Sequence, residues 1–586
     1  MNLFLCKQRY HTFSWASSLA GMAIAILALL LQPSACRGGG GPENVFLLVN
    51  SNSQDSKTVA NHYIKLRNIP ATNVFYLEQD EKEPYIDSKK FKSEILLPTL
   101  NEIDKRGLGG QIDYVVYSCG FPWLVNFRAE FPNKKFNPAV SPHGSLTGST
   151  YLWAFARENR EEIFYPTTNN YCLPTPAEPK PNTAPETTRA FRGIYRWLPE
   201  GKRDKKLGVP YLLSTMLGVT QGRGTSAEQI VKYLTTAKYA DGTKPLGTVY
   251  YMQHDGPRSR PRHNHFAQAA SDLNKAGIKA LVQPGQFPKG KQDIIGLTVG
   301  VTNYNIRKSG CRIMPGALCD NLTSFGGVFL KNSQTVLTEF LINGAAGACG
   351  TVSEPTATPY KFPTPFLHLH YTRGCSMAEA FYQSIFGPFQ QLIVGDPLCQ
   401  PWAQFPVVSV SGVPEGKFTK GTVTLVPTNT NEKKEVILYE LFIDGIRKER
   451  CPPGGNFQLD TTTLSDGHHE LRIVAVDNTS IETQGRWVSE IEVNNQGQAI
   501  QLFLENRKQL ASTKQLTIRI ASNRKQDVIL LHNGRELGVI PTGSGVVKIS
   551  TNSLGSGPVA LQARVKGENG ALSPPLRIDV PSPPAR

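Results

Sequence analysis

The chain changes character near residue 402, and this change constrains the fold more than any other feature of the sequence. Between Asn44 and Cys399, apolar runs typical of strands alternate with runs of helical spacing. Such alternation predicts a mostly parallel sheet covered by helices on both faces. We therefore expect an α/β domain over residues 43–404, with a proline-rich insertion at residues 155–206 that falls outside the alternation.

The rest of the chain has short strands and turns without helical spacing, and two of its segments repeat one another. Each repeat has a turn pair, Asp444-Gly445 in the first and Asn533-Gly534 in the second, flanked by alternating apolar residues. Asp-Gly and Asn-Gly pairs favour tight hairpin turns between half-buried strands. The pattern predicts two Ig-like β-sandwiches, at residues 405–497 and 498–586.

Residues 1–42 carry a pattern typical of export. Basic residues precede an uncharged apolar run, Leu19–Leu31, which is followed by Cys36 and four glycines. As a helix this run is about 20 Å long, shorter than the roughly 30 Å hydrocarbon core of a bilayer. We expect an export signal cleaved after Ala35, and a retained membrane anchor or a lipid-modified Cys36 are the open alternatives. The mature chain is then periplasmic, at the cell surface, or membrane-anchored and facing outward.

The basic charge is concentrated in loops of the α/β domain. The 586 residues include 63 Lys and Arg against 47 Asp and Glu, a net charge of +16, and 9% are aromatic, which excludes wholesale disorder. Two loop stretches stand out: Arg189, Arg192, Arg196, Lys202, Arg203, Lys205 and Lys206, and then Arg258, Arg260 and Arg262. We expect a basic rim that binds an anionic envelope polymer or protein, and solvated loops without a partner are the alternative. No nucleic-acid module is evident, so nucleic acid is not an expected partner.

Cysteine and histidine spacing predicts neither a metal centre nor a redox motif. Outside the N-terminal segment eight cysteines remain, none of them in a C-x-x-C arrangement, and no disulfide pairing is predicted. His368 and His370 would share one side of a strand, as two zinc ligands require, but no third ligand is evident. His468 and His469 fall in a turn, and we expect them at the surface.

A glycine-rich stretch, Gly218–Glu228, lies between a predicted strand and a predicted helix, where backbone amides can bind a phosphate. It lacks the Gly-Lys-Ser/Thr ending of a P-loop and the G-x-G-x-x-G order of a dinucleotide site. We therefore expect no nucleotide and no other cofactor.

Polar residues follow the predicted strands at the edge where a doubly covered parallel sheet binds its ligands. Asn50, Ser51 and Asp55 follow the first strand, and Asp396 follows the last. We expect these four side chains to line a ligand-binding crevice. Capping of the next helix is the alternative for Asp55, and fixing the turn before Pro397 is the alternative for Asp396.

Short motifs in the α/β domain carry a resemblance to known proteins. The motifs are Val49–Ser51, Arg67–Pro70, Gly120–Pro122, Pro315–Gly327, Gly344–Pro355 and Val394–Leu398. Together they resemble a widespread family of exported bacterial proteins that has no established activity. The resemblance covers roughly residues 43–402.

A more distant similarity is to the gingipain-type cysteine peptidases, whose caspase-like domain also closes with a helix, a strand and a Gly-Asp-Pro-Leu-like turn before an Ig-like module. This resemblance implies a caspase-like three-layer α/β domain followed by two Ig-like β-sandwiches. It places Cys319 where those peptidases carry the nucleophile. Their catalytic histidine falls within Gly300–Asn305, where this chain has no histidine.

Two functions are consistent with these residues. The first is a binding or scaffold protein on a peptidase-like fold that lacks the catalytic histidine. The second is a hydrolase, either a cysteine peptidase in which His254 approaches Cys319, or an enzyme that uses Asp320, Glu354 and Asp396. A thiol needs a neighbouring base to become a nucleophile, so a base within about 6 Å of the Cys319 sulfur would favour the peptidase.

Overall fold

A ten-stranded sheet forms the centre of the computed structural model. The structure describes residues 40–137, 139–173, 188–414, 418–507, 514–567 and 569–582, so nearly all of the predicted export segment lies outside the described residues. The strands of the sheet are β1 Val45–Asn50, β2 Val74–Leu77, β3 Tyr114–Tyr117, β4 Leu213–Met216, β5 Thr248–Gln253, β6 Ala280–Pro284, β7 Ile294–Val299, β8 Ile313–Asn321, β9 Gly347–Thr351 and β10 Gln391–Gly395.

The strand order divides this sheet into two halves. The order is β6-β5-β7-β8-β9-β10-β4-β3-β1-β2. Among these described strands, eight of the nine neighbouring pairs are parallel, and β9 with β10 is antiparallel. The strands β6, β5, β7, β8 and β9 therefore run in the opposite direction to β10, β4, β3, β1 and β2, and the carboxyl ends of the two halves lie on opposite sides of the sheet. The predicted α/β class with a mostly parallel sheet is confirmed, and the single antiparallel pair makes the sheet mixed.

Apolar runs place the inner strands. Every residue of β1, β3 and β7 is buried, as expected of strands that are covered on both faces. Strand β6 lies at an edge, and Leu281 within it is 43% exposed. Burial therefore follows the continuity of each apolar run.

Local capping signals set where the helices begin. Ser226 with Gln229 and Ser376 with Glu379 form capping boxes, and Ser53 accepts a hydrogen bond from the Ser56 amide. The helices are α1 Gln54–Arg67, α2 (Ser88–Lys90, Phe91–Leu96 and Leu97–Lys105, whose middle segment is π-helical), α3 Leu146–Tyr151, α4 Trp153–Arg157, α5 Ala227–Tyr239, α6 Phe266–Lys275, α7 Thr338–Ile342, α8 Leu367–Thr372 and α9 Met377–Ser384.

Two small three-stranded sheets lie in the connections. One contains Tyr85–Asp87, Leu124–Asn126 and His143–Ser145, and the other contains Arg196–Leu198, Lys202–Asp204 and Val209–Pro210. The second belongs largely to the predicted insertion, of which residues 174–187 lie outside the described residues. Its Trp197 is fully buried and stacks on Phe191 with ring centroids 5.5 Å apart, so the described part of the insertion is packed.

The rest of the chain forms two all-β modules, as the turn pattern predicts. The first consists of β11 Val408–Ser411, β12 Thr422–Asn429, β13 Val436–Ile443, β14 Ile446–Cys451, β15 Phe457–Asp460, β16 Gly467–Asp477 and β17 Gln484–Val493. The second consists of β18 Ile500–Leu504, β19 Gln515–Ser522, β20 Val528–His532, β21 Arg535–Ile540, β22 Gly545–Ser550, β23 Gly557–Val565 and β24 Leu576–Val580. Each has an antiparallel three-stranded and an antiparallel four-stranded sheet with an apolar core.

Both modules contact the α/β domain near its edge strand β2. The Thr72 hydroxyl donates to the Asp444 carbonyl of the first module at 2.6 Å, and the Tyr76 hydroxyl lies 3.3 Å from Nδ1 of His532 in the second. The described residues belong to one compact unit. The modules therefore shield an edge that would otherwise present unpaired backbone groups.

In the part of the chain that the structure describes, no helix combines the length and apolarity needed to cross a membrane.

Candidate functional site

Cys319, the predicted nucleophile, lies in the middle of the sheet. It belongs to β8 and is paired with Leu297 on β7 and Ala348 on β9, and its side chain is fully buried. Burial raises the pKa of the Cys319 thiol, and the adjacent Asp320 raises it further. The thiol is therefore protonated and enclosed, which disfavours nucleophilic attack.

His254, the predicted base, is occupied by the backbone around it. Its Nδ1 accepts a hydrogen bond from the Gly256 amide at 3.0 Å, and its Nε2 lies 2.8 Å from the Gly300 carbonyl oxygen. Across the described residues, the Cys319 sulfur forms no hydrogen bond with a histidine. The structure thus does not bring the predicted dyad together.

Asp320 and Asp396 are both buried and bound to arginines. Asp320 pairs with Arg262 and accepts a contact from the Cys349 thiol at 3.3 Å. Asp396 accepts hydrogen bonds from the Tyr63 hydroxyl and from Nε of Arg67, each at 2.9 Å. Both carboxylates are therefore committed to contacts within the domain, and neither faces the solvent.

Asp396 and Glu354, two of the three carboxylates of the predicted hydrolase, do not converge. The Asp396 amide bonds to Ala346, just before β9, whereas Glu354 follows the other end of that strand. Five extended residues span about 17 Å. A mechanism that shares Asp396 and Glu354 at one reacting bond is therefore not supported by this geometry.

Asn50, Ser51 and Asp55 surround the turn after β1. Asn50 is fully buried, and its amide nitrogen donates to the Gly120 carbonyl at 2.6 Å while its oxygen accepts from Asn52. The Ser51 hydroxyl donates to the Leu77 carbonyl at 3.2 Å. Partial desolvation and the nearby carboxylate of Glu81 raise the pKa of Asp55. The cap of α1 is Ser53, so Asp55 lies in the first turn of the helix. The Asn50 side chain thus links the end of β1 to the turn after β3, which is a structural role.

Glu354, one of the predicted catalytic residues, lines an open cleft. The cleft has a volume of about 330 Å³ and lies at the carboxyl end of β9, against the small sheet that contains His143. Its apolar wall consists of Tyr85, Leu124, Phe325, Val328 and Val352, and its polar groups are Asn126, His143, Lys331, Ser353 and Glu354. An apolar cleft with a few convergent polar groups is the usual form of a ligand site.

Hydrogen bonds hold the polar wall of the cleft in place. The Ser353 hydroxyl donates to the His143 carbonyl at 3.1 Å and accepts from Nε2 of Gln390 at 2.6 Å. Burial and the charge of Arg128 lower the pKa of His143, so its imidazole is neutral at neutral pH. Tyr85, 39% exposed, packs edge-on against the buried Trp123 with ring centroids 5.0 Å apart. These contacts pre-order the wall before any ligand arrives.

The rim of the cleft is a strained loop. Thr356 and Ala357 have φ values of 61° and 47°, in the left-handed region that favours glycine. The Thr356 amide donates to Oε1 of Glu354 at 2.9 Å, which ties the strained turn to the cleft carboxylate. Residues held in this region cost roughly 1–3 kcal/mol each and cluster at functional sites.

Lys361 lies close to this rim in a buried position. Its Nζ donates to the Ala139 carbonyl at 2.8 Å. Burial lowers its pKa to about 8, against the opposing effect of the Glu354 carboxylate. An amine with this pKa is present in both its charged and its neutral form near neutral pH, whereas an ordinary surface lysine is almost entirely charged.

Sequence reasoning missed most of this cleft. His143, Tyr85 and Lys331 come from three separate connections, and no regular spacing links them to Glu354. The one local signal is a pair of prolines, Pro355 directly after Glu354 and Pro359 directly before Tyr360, which indicates a constrained loop. The cleft is formed by tertiary packing.

The predicted basic rim is largely used inside the protein. Arg192 pairs with Asp113 at 2.7 Å, and Arg203 pairs with Glu482 of the first module at 2.9 Å. Arg262 is buried against Asp320, as described above. These three arginines therefore join elements of the fold. Binding of an anionic partner by the exposed members of the rim stays a prediction.

The histidines without a predicted role are also structural. His368 and His370 lie on α8, a helix rather than a strand, and their ring nitrogens contact Thr298 at 3.1 Å and Thr188 at 2.9 Å. His468 and His469, expected at the surface, are only 6% and 4% exposed because both modules meet beside them. The eight cysteines of the described residues are all free.

Comparisons with known proteins yield distant likenesses only. No family model and no curated protein matches the chain. Among solved structures, fibronectin(III)-like modules of Clostridium thermocellum CbhA match 29% of this chain and 91% of theirs at 14% identity and a TM-score of 0.14. Latent dimeric PorU from Porphyromonas gingivalis matches 29% of this chain and 20% of its own, at 14% identity and a TM-score of 0.12.

A third match is SGBP-B of a Bacteroides ovatus mixed-linkage glucan utilization locus, whose structure contains a mixed-linkage heptasaccharide. It covers 29% of this chain and 47% of its own, at 12% identity and a TM-score of 0.18. TM-scores this low support no conclusion about the function of the chain.

Proposed function

We propose that this chain is an exported binding protein built on a caspase-like α/β domain that has no peptidase activity. One observation carries the proposal: the Cys319 thiol is enclosed in the centre of the sheet, and its pKa is raised by burial. A nucleophile must reach a substrate carbonyl and lose its proton, and neither condition is met at this position. The mostly parallel sheet and the Gly395–Leu398 turn, which resembles that of the gingipain-type peptidases, support the caspase-like assignment.

The binding site of this proposal is the cleft at the carboxyl end of β9. Tyr85 offers an exposed aromatic surface, and Asn126, Ser353 and Glu354 offer hydrogen-bonding groups above an apolar floor. A cleft of about 330 Å³ falls in the range of small-ligand sites. It accommodates one residue or short segment of a larger partner.

The location and partner follow from the N-terminal segment and the charge. We place the protein in the periplasm, at the cell surface or on an outward-facing membrane anchor. Its partner is an anionic polymer or protein of the envelope, attracted by a net charge of +16.

A second candidate, a hydrolase at the same cleft, is favoured by one specific observation. The Glu354 carboxylate lies near an amine, Lys361, whose pKa is about 8 and which can therefore act as an acid or a base near neutral pH. The substitution Glu354→Gln distinguishes the hydrolase from the binding protein. A hydrolase loses turnover with this change, whereas a binding protein has no turnover to lose.

Thiol labelling tests the peptidase question directly. We expect a small alkylating probe, applied to the native protein and mapped by mass spectrometry, to modify the half-buried Cys311 and leave Cys319 unmodified. Cleavage of a mixed peptide pool should be absent both in the native protein and in Cys319→Ala. Labelling of Cys319 together with cleavage that disappears in Cys319→Ala would overturn the proposal.

A fluorescence measurement tests the cleft. Tyr85 contacts Trp123, so a ligand seated on Tyr85 should change the emission of that tryptophan. Tyr85→Ala should remove the response, and Tyr239→Ala, at a 75% exposed tyrosine on α5, is the matched control. A panel of oligosaccharides and peptides that leaves the emission of the native protein unchanged would count against this cleft.

A further inference from the structure

A row of basic side chains lies on the side of the sheet where β6, β7 and β8 begin. We call it the basic edge, and its members are Lys279, Lys289, Lys291, Arg307, Lys308 and Arg312. Lys291 is half-buried and the other five are exposed. Within the described residues, none of the six forms an ion pair with a carboxylate.

Two loops are fastened together to form this edge. The Gly290 amide donates to the Ser309 carbonyl at 2.9 Å, and the Arg312 amide donates to the Lys291 carbonyl at 2.8 Å. The Cys311 thiol adds a contact to Pro288 at 3.3 Å. Bonds between the loops fix the backbone from which the cations project.

The two carboxylates near these loops are already occupied. Asp293 accepts hydrogen bonds from the Thr248 hydroxyl at 2.7 Å and the Tyr250 hydroxyl at 2.9 Å. Glu339 accepts from the Ile306 amide at 3.1 Å and also contacts Asn343. Lys279 lies close enough to Asp293 to help lower the pKa of that carboxyl, so one of the six cations has a partial counter-charge. The other five form no ion pair between described residues, and like charges gathered in this way repel one another unless an external anion binds.

The geometry suits an extended anion better than a compact one. Lys279 directly precedes β6 and Arg312 directly precedes β8, and the sheet order places three strand steps between them. Neighbouring strands are about 4.8 Å apart, so the row is about 14 Å long. Charges repeated along a polymer can follow such a row, whereas a single small anion would meet only one or two of the cations.

We propose that the basic edge binds an acidic polysaccharide, a chain whose sugar units carry carboxylates. This inference rests on the proposed envelope-binding function and adds to the cleft a second binding surface, with a partner of defined chemistry. The cations stand on loops and strand ends rather than along the polar face of an amphipathic helix, which disfavours a membrane as the partner. An exported chain also meets polysaccharide rather than nucleic acid.

The basic edge is separate from the cleft. Both belong to the half of the sheet formed by β5 to β9, but the cleft lies where β9 ends and the basic edge lies where β6, β7 and β8 begin. Because these strands are parallel, the two surfaces lie at opposite edges of the sheet. Changes at one surface can therefore be tested without altering the other.

The experiment measures binding of the full-length protein to immobilised polygalacturonate, with neutral dextran as the blank. The test variant replaces four cations: Lys289→Gln, Lys291→Gln, Arg307→Gln and Lys308→Gln. The control variant removes four exposed lysines of the modules: Lys433→Gln, Lys448→Gln, Lys525→Gln and Lys548→Gln. Both variants lose four charges, so they differ only in where the charges were.

We expect the test variant to bind at least about tenfold more weakly than the native protein, and the control to stay within about twofold. Binding should vanish near 1 M salt, where the Debye length is about 3 Å. Arginine in place of both Lys289 and Lys291 should retain binding, which a role in folding alone would not explain.

Three results would overturn the inference: no binding to polygalacturonate, equal losses in both variants, or tighter binding to duplex DNA or to anionic phospholipid vesicles at matched charge. Tyr85→Ala keeps polygalacturonate binding if the basic edge acts alone. Failure here with Cys319 still unlabelled would reject the basic edge and leave the proposed function standing.

Discussion

Two populations of cations in the same α/β domain behave in opposite ways. Arg67, Arg192 and Arg262 are buried, and each contacts an aspartate. The six cations of the basic edge are at the surface, and within the described residues none has a carboxylate partner. A buried cation and an exposed cation each add one unit to the net charge of +16, which therefore says little about where a partner would bind.

The difference shows what burial requires of a charge. A charge taken out of water must find a counter-charge and hydrogen bonds inside the protein, because the desolvation penalty is otherwise several kcal/mol. A charge at the surface is solvated and needs no partner. The buried arginines thus hold elements together, while the exposed cations are free to meet an external anion.

Arg472 should show the largest effect of any cation. Its Nη1 donates to Glu43 at 2.9 Å and its Nη2 donates to the Asn68 carbonyl at 2.8 Å, so it joins the first module to the α/β domain. We expect Arg472→Met to lower the free energy of unfolding by about 3–5 kcal/mol, because Glu43 is left buried with one fewer partner. Urea denaturation measures this loss.

The double variant Glu43→Gln with Arg472→Met is the control. It removes both charges, so it should be more stable than Arg472→Met alone. A loss below about 1 kcal/mol in the single variant would show that the buried cations are not what fastens the module.

Lys361 is a buried cation without an ion pair among the described residues, and it should behave differently from the arginines. Its pKa is about 8, below the ordinary lysine value of 10.5, so the charged form costs stability in the folded state at low pH. That cost is relieved as the pH rises from about 8 to the unfolded value, and the native protein should gain up to about 3 kcal/mol across this window.

Lys361→Met has no amine to titrate and should lack that gain. The measurement compares the free energy of unfolding of the two proteins at pH 7, 8, 9 and 10. Parallel profiles would contradict the low pKa and would place Lys361 with the solvated surface lysines.

His469 gives a smaller and pH-dependent case of a paired cation. Its Nδ1 lies 2.6 Å from Oδ2 of Asp444 and its Nε2 lies 2.9 Å from the Ser465 carbonyl. Burial disfavours the charged ring, but the Asp444 carboxylate outweighs it and raises the pKa of His469 above 6.5. The stabilisation is then complete below pH 6.5 and is lost as the pH rises through the folded pKa.

We expect His469→Gln to cost about 1.5–3 kcal/mol near pH 5.5 and less near pH 8.5. Thermal unfolding at both pH values provides the comparison. A penalty that is the same at both would mean that packing of the ring, and not its charge, stabilises the module.

The basic edge should show the smallest effect on stability. Replacing Lys289, Lys291, Arg307 and Lys308 by glutamine removes no ion pair between described residues, so the free energy of unfolding should change by less than about 0.5 kcal/mol. Differential scanning calorimetry checks this. A loss comparable to that of Arg472→Met would end the distinction between structural and free cations.

Local patterns were sufficient for most of the elements. The continuous apolar run of β1, the helical spacing of α1 and the turn pairs of the modules predict what the structure contains, because each depends on neighbouring residues. His368 and His370 show the limit of such patterns. Both are buried histidines, but they lie on the helix α8 and not on a strand.

The candidate site was much less predictable. Glu354 was identified from its position after a strand, but its cleft partners Tyr85, His143 and Lys331 are distant in the chain. The resemblance to gingipain-type peptidases predicts Cys319 as a nucleophile, but in the structure its strand lies between two neighbouring strands and its side chain is buried. Sequence patterns locate strand ends, but they do not tell which side chains are left in contact with solvent.

The sequence by itself determined the α/β class, the change to all-β modules and the surplus of positive charge, because apolar periodicity, turn pairs and composition are local properties. Tertiary structure decided which charges are buried, which thiol is enclosed and where a cleft opens. These depend on contacts between residues that are far apart in the chain, such as Arg472 with Glu43. The role of each charge is therefore set by its surroundings in the folded protein.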